Sequence, residues 1–208
     1  MKLVETASLA TDLEKGLGET HWLFKSFNPA LRLRMEGVCG VASLAITEHL
    51  RQQGHEVDIV MSHPNLPIDP HMRHVFAIVR DGGDGTIIDS SYTQFLGYAG
   101  LTPGYVMFGG EDRYPGSKIE SFGVGEEREV VDRLTLIARH VIDHRLNSKA
   151  SHFEQPEFQD MSDEGIYDTL SEIWNPSNFE VYEPSDELLA GGKKLASFIL
   201  PEHINLVA

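Results

Sequence analysis

From Val38 to about Gln53 the apolar positions Val38, Val41, Ala42, Leu44, Ala45, Ile46 and Leu50 cover more than one face of a helical repeat. A helix that is apolar round most of its circumference is a buried one. Gly54 follows, a residue suited to the left-handed conformation that often ends a helix. The pattern then changes period. "HEVDIVM" (His55 to Met61) alternates as a strand does, and "HVFAIV" (His74 to Val79) is a more apolar strand. "TIIDSSY" (Thr86 to Tyr92) returns after the turn "DGGDG". Between the first two strands, "SHPNLPIDPHMR" carries Pro64, Pro67 and Pro70 and reads as a loop.

Elsewhere the pattern predicts a helical N-terminal region in "TASLATDLEKGLGETHWLFKSF", with Ser8 or Thr11 as cap and Gly16 and Gly18 as breaks, then a turn at Asn28-Pro29. The glycine- and aromatic-rich "LGYAGLTPGYVMFGGEDRYPGS" reads as an irregular connection. Glu126 to Leu146 is the clearest amphipathic helix, with Val130, Leu134, Ile137, Val141 and Arg145 along one face. "SHFEQPEFQ" reads as a linker. "SDEGIYDTLSEIW" reads as a short helix capped by Ser162, with Asp163 and Glu164 in its first turn. The tail from Asn175 has no clear pattern. The order of elements predicts an α+β fold, a buried helix on an antiparallel sheet, in one domain over residues 1–208 with a helical C-terminal part from about 126.

Composition narrows the partners. The 208 residues carry 17 basic and 32 acidic side chains, a net charge of −15. Nucleic acids and anionic membranes are polyanions, so neither is an expected partner. No stretch has the apolar length of a membrane span or of a secretory signal, and the expectation is a cytoplasmic protein, or one exported without a cleaved signal. A single cysteine excludes an internal disulfide.

That cysteine, Cys39, stands in "GVCG" where the apolar helix begins. The positive end of a helix dipole stabilises a thiolate, and the free N–H groups of a first turn hold an oxyanion. Gly37 and Gly40, lacking a Cβ, let a carbonyl approach the backbone. A base is then needed, and a group to orient it. His74 heads one strand and Asp89 closes the next, so the hairpin sets them side by side at the same sheet end. The side-chain amide of Gln94, in "SYTQF", is a candidate for substrate or oxyanion contact, as is Gly40.

A cysteine opening a buried helix, a histidine heading one strand and an aspartate closing the next resembles the papain-like and transglutaminase-core superfamily of cysteine enzymes. "GVCGVASLAITEHL", "HVFAIV" and "IIDSSYTQF" are similar to its three motifs, over about Met35 to Phe95. The resemblance implies a papain-like or transglutaminase-like fold, with Cys39 as nucleophile, His74 as general base and then acid, and Asp89 as the orienting residue. It implies acyl transfer through a thioester without a cofactor, on a glutamine- or amide-bearing protein or peptide. Protease, transglutaminase, deamidase and acyltransferase stay open.

Two other readings compete. In the first, Cys39 is a small core hydrophobe in a noncatalytic binding module. In the second, His63, Asp69, His71 and His74 hold zinc or iron for a metal-dependent enzyme. His140 and His144, four apart on the amphipathic helix, share a face but read as solvated helix residues. No metal site is expected.

Overall fold

The computed structural model describes residues 2–4, 9, 12–13, 15–16, 38–67, 71–81, 85–99, 123–147, 157–201 and 204–207. The architecture is α+β: four helices pack on a five-stranded antiparallel sheet. The helices are α1 (Val38–Gln52), α2 (Glu127–Asn147), α3 (Asp163–Trp174) and α4 (Asp186–Ala196). The sheet is built from β2 (Val57–Ser62), β3 (His74–Val79), β4 (Thr86–Asp89), β5 (Gly123–Gly125) and β6 (Phe179–Val181), in the order β5-β4-β3-β2-β6. Separately, β1 (Lys2–Val4) pairs antiparallel with β7 (Asn205–Val207).

The sheet is covered on both faces, which is why all six residues of β3 are buried. Side chains of a strand alternate between faces. Ala77, Val79 and Ile88 face one way, into a cluster with Val41, Ala42, Ala45, Ile46 and Leu50 of α1 and Leu195 of α4. Phe76, Ile78 and Ile87 face the other way, against Val130, Leu134 and Val141 of α2 and Ile166, Leu170 and Trp174 of α3. The expected stripe on α2 is therefore a buried one. A second row, Val131, Ala138 and Ile142, is also fully buried, because α2 is wedged between the sheet and α3.

Two side chains fix by hydrogen bonds how α1 lies on the sheet. Ser43 Oγ donates to Val75 O at 3.0 Å near the start of the helix, and Arg51 donates to Val57 O near its end. Val57 pairs with Val79, so α1 runs along β3 in the same direction. Its first turn overhangs the end of the sheet at His74. Gly54, with φ 93°, turns the chain from α1 into β2.

Several expectations need correction. The first strand begins at Val57, not His55, because His55 is held by Asp81. The strand after the turn stops at Asp89, since Ser91 N–H bonds back to Asp89 Oδ1 and the chain coils into a 3-10 helix, Tyr92–Ala99. That helix replaces the start of the expected irregular connection, the rest of which lies outside the described residues. Of the proposed linker, residues 151–156 lie outside the described residues, and Phe158 is a fully buried core residue packed on Tyr98. Gly16, expected to break the N-terminal helix, has helical backbone; Ser8, Thr11, Gly18 and the Asn28-Pro29 turn lie outside the described residues. Ser162 caps α3 as expected, accepting from Gly165 N–H at 3.1 Å.

The unpatterned tail supplies β6, α4 and β7, so the part beyond 126 is not only helical. Each of its elements is short, and their contacts are distant in sequence. Gly192 shows the packing demand: a Cβ there would lie 2.6 Å from Leu44 Cβ on α1. Alanine ordinarily favours a helix over glycine by about 1 kcal/mol, but here two backbones must separate to admit it. Gly192→Ala is expected to cost a net stability of about 1–3 kcal/mol in denaturant unfolding.

Candidate active site

Cys39 is in the first turn of α1 and is 5% exposed. It belongs to neither apolar cluster. Its thiol lies beside His74 and the backbone of Val75, both of which favour its charged form. Burial alone pushes this thiol up, but the hydrogen bond and charge of His74, with Val75, outweigh it, and the thiol ends below its usual range.

His74 and Asp89 are 1% and 0% exposed. Their arrangement is diagonal rather than directly across. Ala77 opposes Ile88, and one further step sets Asp89 opposite Phe76, with His74 two residues along the same face. The reach closes all the same: His74 Nε2–H donates to Asp89 Oδ2 at 2.5 Å. Burial pushes the imidazole down, but the charge and hydrogen bond of Asp89, and then those of Cys39, raise it to about 10. Thiol and ring thus each favour the charged form of the other.

Asp89 is held by more than the histidine. Trp174, the last residue of α3, donates its indole N–H to Asp89 Oδ2 at 3.0 Å. Ser91 donates its backbone N–H to Oδ1 at 2.9 Å, and its hydroxyl lies 3.4 Å from the same oxygen. A buried carboxylate needs such donors to stay charged. The ring of His74 is gripped edge-on by Phe95 and Trp174, with centroids 4.9 and 6.3 Å away. Only Asp89 of this set is predicted from the sequence. Trp174 is 85 residues further on, and its one local signal is its place at the end of an amphipathic helix.

Gln94 is on the 3-10 helix with its side-chain nitrogen 2.8 Å from His74 Nδ1. A neutral ring, protonated on Nε2 toward Asp89, accepts there from the amide N–H. A charged ring, protonated on both nitrogens, is met by the same amide turned over to offer its oxygen. Gln94 therefore touches the reactive side of the base. Gly40 is buried, and a Cβ on it would lie 3.1 Å from the Tyr182 hydroxyl, so its bareness lets Tyr182 close over the start of α1. Burial, and then the charge of Cys39, raise the Tyr182 phenol. Tyr182 is in the unpatterned tail and carries no sequence signal.

The described histidines of the competing metal reading, His63, His71 and His74, do not converge on a common ion. His74 is committed to Asp89, and His63 Nε2 lies 2.7 Å from Glu180 Oε1. Among the described residues no three histidine, cysteine, aspartate or glutamate side chains converge as a metal would need. Asp69 and the side chain of His144 lie outside the described residues. No membrane-length apolar helix occurs among the described residues.

No family model, curated protein or solved structure matches this chain.

Proposed function

We propose that the protein is a cysteine-dependent amide hydrolase or acyltransferase, with Cys39, His74 and Asp89 as its triad and a glutamine side-chain amide of a protein or peptide as its substrate. The observation that carries this reading is the buried His74–Asp89 hydrogen bond with the Cys39 thiol on the other side of the ring. A structural cysteine has no use for a histidine backed by a carboxylate. The fold is read as papain-like or transglutaminase-like on the same grounds and on the order of the three residues.

The Cys39 thiolate attacks the amide carbon, and the carbonyl π electrons move to oxygen. The first-turn N–H groups of α1, with Gln94, supply donors for that oxyanion. The tetrahedral intermediate collapses, the C–N bond breaks, and the His74 imidazolium gives its proton to the departing nitrogen, which leaves as ammonia. The neutral ring, held in one tautomer by Asp89, then takes a proton from water or an amine as this attacks the thioester. Breaking the C–S bond frees the thiolate and yields a carboxylate or a new amide. No step calls for a cofactor.

Intact mass after incubation with glutamine-bearing proteins separates the chemistries. Deamidation converts amide to acid, transamidation cross-links, and proteolysis cuts the chain; the expected product is the acid. Unchanged masses across a broad substrate panel count against the enzyme. The thiol gives a second readout. Iodoacetamide is expected to alkylate Cys39 below the pH at which an ordinary thiol reacts, and His74→Asn is expected to shift that profile upward, because only the Val75 backbone then opposes burial. A thiol inert in the folded chain points instead to the noncatalytic module.

A further inference from the structure

A cavity of about 160 Å³ opens at the sheet end, lined by His63, Pro64, His71, Met72 and Arg73. Its place follows from the strand register. Ser62 opposes His74 where β2 ends and β3 begins, so His63 and Arg73, the residues just outside this pair, lie at that end of the sheet. Arg73 is the chain neighbour of the base itself.

The chemistry of the lining stands out in this chain. In a protein of net charge −15, the cavity gathers one arginine and two histidines. His63 engages Glu180. Arg73 is exposed, and no carboxylate among the described residues lies within ion-pair distance of it. Met72 supplies an apolar wall, steadied by the Tyr98 hydroxyl at 4.0 Å from its sulfur. A guanidinium with no carboxylate partner among the described residues, over a small hollow, suits a carboxylate or phosphate, which it meets with two parallel N–H donors.

We infer that this cavity is the specificity subsite of the enzyme, taking an anionic group, carboxylate or phosphate, that the substrate carries beside the amide under attack. Arg73 is its principal contact. The inference rests on the proposed role of Cys39, and its test separates the two.

The test compares iodoacetate with iodoacetamide at low ionic strength, where charge effects are least screened. The two reagents differ by a negative charge at the group that follows the reacting carbon. In the wild type the ratio of iodoacetate to iodoacetamide rates at Cys39 is expected to exceed that of a free thiol. Arg73→Gln is expected to lower the ratio about tenfold, the iodoacetamide rate of each variant serving as the reference for its own thiol, and Arg73→Lys to keep most of it. A thiol that still reacts with iodoacetamide reports that the variant is folded. Inorganic phosphate and acetate then compete against iodoacetate, and the stronger competitor identifies which anion the site prefers. A ratio that ignores Arg73→Gln, or competition by neither anion, overturns the subsite and leaves the triad standing. A thiol that reacts with neither reagent overturns both.

Discussion

Replacing Cys39 by alanine is expected to lower ammonia release from glutamine-bearing proteins by about four orders of magnitude or more, the usual scale for loss of a covalent nucleophile. Cys39→Ser is expected to do nearly as much. The thiol ends below its usual range in the field of His74, whereas a hydroxyl of far higher intrinsic pKa does not ionise there. Neither change is expected to unfold the chain, since the His74–Asp89 pair and both apolar clusters are complete without the sulfur. Release of ammonia coupled to a standard indicator enzyme measures the loss. Alanine at 39 with more than a tenth of wild-type activity would falsify a thioester route.

Asp89→Asn is expected to lower activity by about three to four orders of magnitude, the loss reported for the equivalent change in a well-studied serine triad. Asparagine keeps the shape but offers a single acceptor oxygen and an amide that donates. It cannot accept from His74 Nε2–H and the Trp174 indole and also take the Ser91 N–H. Some donor is left facing a donor. Asp89→Ala goes further, stranding the indole, the amide of Ser91 and the imidazolium in a site with no exposure. Breaking a buried pair from one side costs about 3–5 kcal/mol, so this variant is expected to show a correspondingly lower unfolding free energy in denaturant.

The same carboxylate governs how stability depends on pH. His74 titrates at about 10 in the folded chain, against 6.5 for a free imidazole. A group raised in this way contributes its full stability below 6.5 and loses it as the pH climbs toward 10. Cys39 runs opposite: a depressed thiol contributes above its ordinary range and loses that contribution as the pH falls through its folded value. The slopes oppose one another in the wild type, so Cys39→Ala is the background in which the histidine is seen alone. Its melting temperature is expected to fall as the pH rises above 6.5, over a window that ends below 10 because the share of the rise due to Cys39 is gone, and that of the double variant with Asp89→Asn to fall much less. Equal slopes in the two would remove Asp89 as the cause.

Local sequence carried much of the site. Each of its three central residues sits at the boundary of an element whose period is plain. Cys39 opens a helix apolar on several faces, His74 opens an all-apolar strand, and Asp89 ends a strand that returns from a glycine turn. Burial sets that period, so residues a few positions apart suffice to see it. Gln94 was only a candidate for substrate or oxyanion contact, because the 3-10 helix that brings it to His74 Nδ1 has no period in the sequence. The diagonal offset of His74 and Asp89 was not legible, because it depends on ladder register and not on residue type.

Trp174 and Tyr182 lay beyond this kind of reading. Trp174 reaches Asp89 only because α3 packs across the face of the sheet opposite α1, and Tyr182 covers Gly40 only because β6 joins the edge at β2. Such contacts join segments more than 80 residues apart, and no periodicity within either segment encodes them. By itself the chain determined its buried helix, its central hairpin and the order of Cys39, His74 and Asp89 at element boundaries, since hydrophobic burial imposes a local repeat on each. The tertiary structure alone decided that helices cover both faces of the sheet, which donors meet the Asp89 carboxylate, and that a small hollow lined by Arg73 opens at the sheet end, because packing and hydrogen-bond satisfaction are properties of segments brought together.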